Sequence, residues 1–155
     1  DALGGDITTP SVIGIVNVQF TAVGNVGAGT DDLMTYTLPA NALNANGRGV
    51  RVTAWGDHAA NANSKQVIFN FGSATQSLAT EAVNDASWWA TCVVIRSAVD
   101  AQIIATNYSR TGLADQIADS TATQDDGATV VIKFTAVGVA DNDIRQLGMV
   151  TELLY

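Results

Sequence analysis

Short runs in which apolar and polar residues alternate recur along most of this 155-residue chain. A period of two is typical of β-strands with one buried face. Near the centre of the chain the alternation predicts three strands, at residues 33–38, 50–55 and 66–71. Pro39 ends the first of them, because proline has no amide hydrogen to donate to a neighbouring strand. Residues 39–43 then have room for one helical turn, with proline at its start.

Further strands are predicted on both sides of this central region. They lie at residues 11–23, 75–79, 88–97, 101–109, 119–123, 129–139 and 144–154. Residues 88–95 are apolar at most positions, which indicates either a central strand of a sandwich or a strand that is buried by the core on one side and by a neighbouring subunit on the other. Residues 113–117 are predicted to form a short helical turn. No other segment has the length or the period of a helix, so the pattern predicts an all-β protein.

Two local features refine this prediction. Asn46-Gly47-Arg48-Gly49 is a turn sequence, and both of its glycines are expected to have positive φ. Phe20-Thr-Ala-Val-Gly24 recurs as Phe134-Thr-Ala-Val-Gly138, which indicates that two strands occupy the same kind of position in a sheet. The predicted fold is an antiparallel, jelly-roll-like β-sandwich of about eight to ten short strands. Residues 1–10 are predicted to be an extended N-terminal arm and residues 11–155 a single sandwich domain.

Composition adds a prediction about the surface. Hydrophobic residues make up 47% of the chain and charged residues only 14%, against about 25% charged residues in an average soluble domain. With so few charges, part of the outer surface is expected to be buried against other copies of the chain. The net charge of −8 argues against binding to nucleic acid or to anionic membranes, and the basic cluster of Arg48 and Arg51 is too small to change that.

The residues that most often carry catalysis are scarce. His58 is the only histidine, and it lies beside Asp57 in a predicted loop at residues 57–64 without a nucleophile motif, so an exposed loop histidine is expected. Cys92 is the only cysteine, which excludes an intramolecular disulfide, and its apolar surroundings predict a buried thiol. No catalytic, cofactor-binding or metal-binding residues are predicted.

Metal binding was considered at the acidic turns. One cysteine and one histidine cannot complete a zinc site. Three oxygen-rich segments are candidates for calcium, namely Asp31-Asp32, Asp125-Asp126 and Asp141-Asn142-Asp143. None of them has the twelve-residue loop with a bidentate glutamate, and such residues in turns usually bond to their own backbone. No metal or other cofactor is therefore expected.

The tryptophans leave alternatives open. Trp88 and Trp89 must point to opposite faces of one strand. The pair is either a platform on which a sugar stacks or, as is more common, one core residue and one interface residue. Trp55 lies on the opposite side of its strand from Val50, Val52 and Ala54, unless a bulge at Gly56 turns it inward. It is expected to pack under the loop at residues 57–64 or against a neighbouring subunit.

One segment resembles a known group of proteins. Residues 33–72 contain, in order, Y-T-L-P-A-N-A-L, N-G-R-G-V-R-V, A-W-G, A-A-N-A-N-S-K and F-N-F-G. This succession resembles a segment of structural proteins of tailed bacteriophages, of the head-decoration, head-fibre and tail-fibre types. The resemblance implies a jelly-roll β-sandwich that is usually trimeric and has a structural or receptor-facing role on the virion. It implies no catalytic residues.

Together these observations lead to two functional hypotheses. The first is a non-enzymatic virion structural protein that decorates a phage particle as capsid decoration, head fibre or spike. It is expected to be a homo-oligomer, with a trimer as the favoured state. Its partners would be other copies of itself and virion proteins such as the major capsid protein, and it would assemble in the host cytoplasm. The alternative is a carbohydrate- or receptor-binding module at the tip of a tail fibre.

Overall fold

The structure is a computed structural model, and it describes residues 14–154. This part of the chain forms eleven β-strands and no helix. In chain order the strands are β1 (Gly14–Gln19), β2 (Val23–Gly24), β3 (Gly29–Leu38), β4 (Gly49–His58), β5 (Ser64–Phe71), β6 (Ala74–Ala82), β7 (Ala86–Ala98), β8 (Ala101–Arg110), β9 (Gln116–Ala122), β10 (Val130–Gly138) and β11 (Ile144–Leu154).

The strands form two antiparallel sheets. The larger sheet has the order β1-β11-β4-β7-β8-β9, with the two-residue strand β2 also paired to β11, and the smaller sheet has the order β3-β10-β5-β6. The first and last strands are neighbours, and the chain passes repeatedly from one sheet to the other. This is a jelly-roll arrangement in which β8 and β9 extend one edge of the larger sheet.

The core lies between the two sheets. Alternate residues of each strand point into it, and aromatic rings from both sheets meet there: the ring centroid of Phe134 is 5.5 Å from that of Phe69 and 6.3 Å from that of Trp88. Val130, Ile132, Phe134 and Ala136 of β10 are buried, at every second position of the strand. The predicted all-β, antiparallel sandwich is confirmed.

The beginning of the described chain differs from the prediction. The strand predicted at residues 11–23 is divided into β1 and β2, which accounts for the eleventh strand. A bulge between Ile15 and Asn17 shifts the register of β1, and Phe20 follows the strand and is 79% exposed. Residues 1–13 lie outside the described part of the chain, so the predicted N-terminal arm remains a prediction.

The repeated Phe-Thr-Ala-Val-Gly sequence does not mark equivalent positions. The first copy follows β1 and ends in β2, at the edge of the larger sheet, whereas the second lies within β10 in the smaller sheet. Phe134 is fully buried and Phe20 is exposed. The interpretation of the repeat was therefore wrong.

The predicted helical turns are also absent. At residues 39–43 the chain makes a hydrogen-bonded turn, in which the Ala42 amide donates to the Pro39 carbonyl over 3.2 Å, but Asn41 has a φ of +62° and no helix follows. The Leu113 amide closes a similar turn on the Arg110 carbonyl over 3.1 Å. The residues after that turn enter β9, whose amides bond to β8 instead of to a helix.

The two turn glycines have different roles. Gly47 has a φ of +86° as predicted. Gly49 does not; it opens β4, where an added Cβ would lie 2.4 Å from Cδ1 of Ile95 and 2.5 Å from the carbonyl oxygen of Val94. Glycine is required at position 49 because two strands approach closely there, and the expectation of positive φ was wrong.

Candidate functional site

Two tryptophans lie side by side on the outer face of the larger sheet. Trp55 of β4 is the direct cross-strand partner of Trp89 of β7. Val52 and Ala54 in β4 and Trp88 in β7 point into the core, so the alternation of side chains directs Trp55 and Trp89 outward. Their rings are stacked, with centroids 5.6 Å apart and an interplanar angle of 17°. We call this pair the tryptophan platform.

Neighbouring residues fix the orientation of both rings. Opposite Trp55, β11 has Gly148, where an added Cβ would lie 2.0 Å from Cζ2 of Trp55. The indole of Trp55 therefore lies directly over the backbone of β11. Nε1 of Trp89 donates a hydrogen bond to Oγ1 of Thr91 over 3.2 Å. Trp89 remains 49% exposed, a large accessible area for an aromatic side chain that is held in place.

Beside the platform is an open trough of about 360 Å³. Its aromatic part is formed by the platform, Trp88 also belongs to the lining although it is only 2% exposed, and Leu147 adds apolar surface. The remaining lining is polar and comes from the hydroxyls of Ser87, Ser109 and Thr111 and from Arg110. An open, mainly aromatic depression with a few hydrogen-bonding groups at its border is a typical binding site for a small polar ligand.

An ion pair continues the outer face beyond the platform. Asp57 lies two residues after Trp55 in β4 and is paired with Arg145 of β11. Nε and Nη2 of Arg145 donate to the two carboxylate oxygens of Asp57 over 2.8 and 2.6 Å. These hydrogen bonds raise the pKa of Arg145. Both side chains remain partly exposed, so the pair presents a flat polar surface.

A second depression, of about 400 Å³, lies on the far side of this ion pair. We call it the polar cleft. Besides the ion pair, it is lined by His58, Asp85, Asp141 and Asn142, together with two alanines. Asp85 and Asn142 have φ values of +51° and +57°, so both occupy the left-handed region that aspartate and asparagine adopt more readily than most residues.

His58 is not the exposed loop residue that was expected. Strand β4 continues through Asp57 to His58, which is only 2% exposed. Its Nε2 lies 3.0 Å from the Tyr108 hydroxyl, and that hydroxyl donates to Glu81 over 3.4 Å. Burial, followed by the nearby charges of Lys65 and Arg110, lowers the pKa of His58 to about 4. The ring is therefore neutral at neutral pH.

Glu81 links this buried group to the trough. Its carboxylate accepts hydrogen bonds from Tyr108 and from Nε of Arg110, and Arg110 also donates to the Thr111 carbonyl over 2.8 Å. Burial raises the pKa of Tyr108, so its hydroxyl stays protonated and serves as a hydrogen-bonding group. The network joins the smaller sheet to the larger one and holds Arg110 at the border of the trough.

Cys92 lies on the inner face of β7 and has no exposed surface. Burial raises the pKa of its thiol well above the ordinary value. Because the thiolate is the reactive form, this cysteine is unreactive, and the prediction of a buried thiol is confirmed.

The acidic turns considered for calcium are occupied by protein groups. Asp32 pairs with Lys133 over 2.6 Å and Asp126 with Arg96 over 2.5 Å. In residues 14–154 no group of three or more histidine, cysteine, aspartate or glutamate side chains is arranged to hold a metal ion. The same part of the chain has no helix long and apolar enough to cross a membrane.

Asp143 belongs to a buried polar cluster that alternation does not reveal. Burial alone would raise the pKa of Asp143, but hydrogen bonds from Asn61, Asn63 and the amides of Val139 and Ala140 lower it to about 2. Lys65 is 1% exposed and donates to four oxygens, which include the carbonyls of residues 61, 63 and 83. All these hydrogen bonds join groups within the protein. The cluster therefore holds the loop around residues 59–63 against the loop around residues 139–143.

The two arginines of the predicted basic cluster have separate partners. Arg51 pairs with Glu152 over 2.6 Å, and Arg48 is hydrogen-bonded to Asn44. Because the charge of Arg51 is neutralised by Glu152, the two arginines do not form a basic surface.

The sequence indicated one member of the platform and missed the geometry. The sequence offered Trp88 and Trp89 as a possible sugar platform. Trp88 is instead a core residue, 2% exposed, and the residue that stacks on Trp89 is Trp55. The signal in the sequence was the outward position of Trp55 on its strand. Joining it to Trp89 required the pairing of β4 with β7, which no local pattern specifies.

Comparisons with known proteins identify no family for this chain. No protein-family model matches the chain, and no curated protein matches it. One similar solved structure is the CBM2 module of the evolved Dit of Lactobacillus casei BL23 phage J-1, at 14% identity and a TM-score of 0.41, covering 87% of this chain and 75% of that one. Another is peanut lectin with a bound peptide, at 9% identity and a TM-score of 0.36, covering 89% of this chain and 92% of that one.

Proposed function

We propose that this chain is a non-enzymatic carbohydrate-binding β-sandwich exposed on a bacteriophage particle. The observation that carries the proposal is the tryptophan platform, in which Trp55 and Trp89 are stacked on the outer face of the sheet with Trp89 half exposed. An indole face offers a flat apolar surface for the C–H side of a sugar ring. The hydroxyls and the ion pair next to it offer hydrogen bonds to the sugar hydroxyls.

The polar groups of this surface suit binding better than catalysis. Asp57 is bound to Arg145 and Glu81 to Arg110, so both carboxylates already accept charged hydrogen bonds. His58 and Tyr108 are buried and bonded to each other. A general acid or base must reach the proton that it transfers, and the burial of His58 and Tyr108 keeps both groups away from a ligand on this surface.

The assignment to a phage particle is supported by the resemblance of residues 33–72 to phage structural proteins. The A-W-G element of that segment contains Trp55, and Gly56 lines the trough. The resembling segment therefore contributes to the surface for which we propose a ligand, which favours the receptor-facing role over a purely structural one.

A glycan array tests the proposal. Purified protein is applied to bacterial surface polysaccharides, and the affinity of each positive glycan is then measured by calorimetry for the parent and for Trp89→Ala. We expect Trp89→Ala to weaken binding about tenfold or more, or about 1.4 kcal/mol. Val99→Ala is the matched control, because Val99 is 73% exposed and lies in the turn after β7, at the other end of that strand. Equal affinities for the two variants, or no glycan bound by the parent, would contradict the proposal.

A second candidate function is a structural role as capsid decoration, head fibre or spike, in a homo-oligomer and preferably a trimer. The observation that favours it is the apolar outer face of the larger sheet, where Ile103 is 50% exposed and Ile117 80% exposed. Such a face is typical of a surface covered by another subunit. An electron-microscopy map of the particle would test this role, and protein found away from the capsid and the fibres would exclude it.

A further inference from the structure

We infer that the tryptophan platform and the polar cleft form one elongated site for a neutral, linear glycan longer than one sugar ring. This inference rests on the proposed function and adds to it the class of ligand and the direction in which the ligand lies. It follows from the position of the Asp57–Arg145 ion pair, from the charges that surround the cleft and from the preformed shape of its border.

The two depressions are adjacent along the strands. Gly56 and Leu147 line the trough, and the next outward residues of the same strands, Asp57 and Arg145, line the polar cleft. At about 3.3 Å per residue, Trp55 is separated from Asp57 by about 7 Å and from Ala59 by about 13 Å. The ion pair therefore lies between the two depressions on one continuous surface, and this surface is longer than a single sugar ring.

The chemistry changes along this surface in a way that suits a sugar chain. The platform end is aromatic and can stack on a ring face. The cleft end has carboxylate, guanidinium and amide groups from Asp85, Arg145 and Asn142, which bond to hydroxyl groups. A wholly apolar ligand would leave this polar end unsatisfied. A glycan offers both apolar ring faces and hydroxyls in every unit.

Charge selects among glycans. Around the polar cleft three carboxylates, those of Asp57, Asp85 and Asp141, are accompanied by the single guanidinium of Arg145. In the trough, Arg110 is paired with Glu81. The net charge of the chain is −8. An acidic glycan would be repelled both locally and over a longer range, whereas a neutral glycan is not penalised.

The border of the cleft is fixed before any ligand arrives. The amide of Asn142 donates to the carbonyl of Asn25 over 2.8 Å, and a carboxylate oxygen of Asp141 accepts from the amide of Gly27 over 2.5 Å. The amide of Asp85 donates to the carbonyl of Ala59 over 3.2 Å. A preformed site loses little conformational entropy on binding, so contacts at the cleft can add directly to affinity.

Blocking the cleft alone tests whether the site is elongated. Ala60 is exposed and lines the cleft, so Ala60→Trp places a large side chain there and leaves the platform unchanged. Ala98→Trp is the control, since Ala98 is exposed at the far end of β7. Titrations use the neutral glycan that binds most tightly on the array, as a monosaccharide and as oligomers of increasing length. We expect the parent and Ala98→Trp to gain about tenfold or more with length, and Ala60→Trp to lose that gain.

Removing charge tests the preference for neutral glycans. Asp85→Asn with Asp141→Asn removes two charges but keeps side chains of the same shape, and asparagine is compatible with the positive φ at position 85. We expect the parent to bind a neutral glycan more tightly than an acidic glycan such as polygalacturonate at low ionic strength. The double variant should show a smaller difference between its affinities for the neutral and the acidic glycan. Added salt should reduce the same difference in affinity for the parent.

The outcomes separate this inference from the proposed function. If Trp89→Ala abolishes glycan binding but Ala60→Trp retains the full gain with length, the platform binds sugar and the elongated site is wrong. If the parent prefers acidic glycans, the assigned ligand class is wrong. If no glycan binds, or if Trp89→Ala binds as the parent does, both proposals are wrong.

Discussion

The two sheets of the sandwich present very different outer faces to the surroundings. Along β3, β10, β5 and β6 most outward side chains are polar, as are Thr35, Lys133, Gln66, Asn70, Thr75 and Ser77, and the apolar Ile68, Val131 and Val137 lie among them. Along the larger sheet the outward side chains include Val18, Leu147, Val150, Trp55, Trp89, Val93, Ile95, Ile103 and Ile117.

This difference explains the composition of the chain. The low proportion of charged residues is compatible with an ordinary solvent-facing surface on the smaller sheet, where threonine, serine and amides replace charges. On the larger sheet many outward side chains are apolar or aromatic, although charged pairs such as Asp57–Arg145 lie among them, and their number is more than a single exposed surface needs. The chain thus has one face suited to water and one face suited to contact, and the platform and the ion pair lie on the contact face.

The largest expected effect is the loss of stability when an inward tryptophan of the larger sheet is truncated, compared with truncation of its outward neighbour. Trp88 is buried against Tyr108 and Phe134, with ring centroids 6.3 Å away in both cases. Trp88→Ala should therefore cost about 3–5 kcal/mol of stability. Trp89→Ala should cost about 0.5–1.5 kcal/mol, the contribution of its stacking on Trp55. Urea denaturation of the two variants measures both, and equal losses would mean that Trp89 is as structural as Trp88.

A second effect arises where the two sheets meet at the buried histidine. The folded-state pKa of His58, about 4, lies below the ordinary value of 6.5, so the unfolded chain takes up the proton first. Stability should be complete above pH 6.5, fall as the pH decreases towards 4, and level off below that. The total loss would be about 3 kcal/mol.

His58→Gln should flatten the stability profile between pH 6.5 and 4, because the group that titrates there is gone. Asp143 has a lowered pKa of about 2, so its own contribution is lost only below about pH 4 and does not overlap. Thermal melts across this pH range measure the effect. If His58→Gln loses stability between pH 6.5 and 4 as steeply as the parent does, a group other than His58 causes the loss.

A third prediction concerns the backbone under the platform. Gly148→Ala places a Cβ where the Trp55 indole now lies, so the ring must move. Overpacking of this kind costs about 1–3 kcal/mol, and the stacking on Trp89 should be disturbed. Tryptophan fluorescence and glycan affinity should change together, whereas Gly127→Ala, at a turn glycine without positive φ, is the control. Unchanged fluorescence and affinity in Gly148→Ala would mean that the platform tolerates the shift.

The sequence was sufficient for the strands and insufficient for the site, for a physical reason. Alternation is a local property, and it identified strands at the positions of β4, β7 and β10. Which outward side chains become neighbours depends on pairing between strands that are distant in the chain, as for Trp55 with Trp89 and Asp57 with Arg145. His58 was misplaced because Gly56 suggested the end of a strand, whereas β4 continues beyond it to pair with β7 and β11.

The last prediction has the smallest expected effect on stability, and it compares the outer faces of the two sheets directly. Ile103 of β8 and Val131 of β10 are 50% and 40% exposed, one on the contact face and one on the face of the smaller sheet. A lysine at either exposed position should change the stability of an isolated chain by no more than about 0.5 kcal/mol. If the contact face is covered by other copies, Ile103→Lys must bury a charge there and should shift the assembly towards the 16.1 kDa chain, while Val131→Lys should not. Light scattering at micromolar concentration measures the masses, and a parent protein that is itself monomeric would exclude self-association as the use of this face.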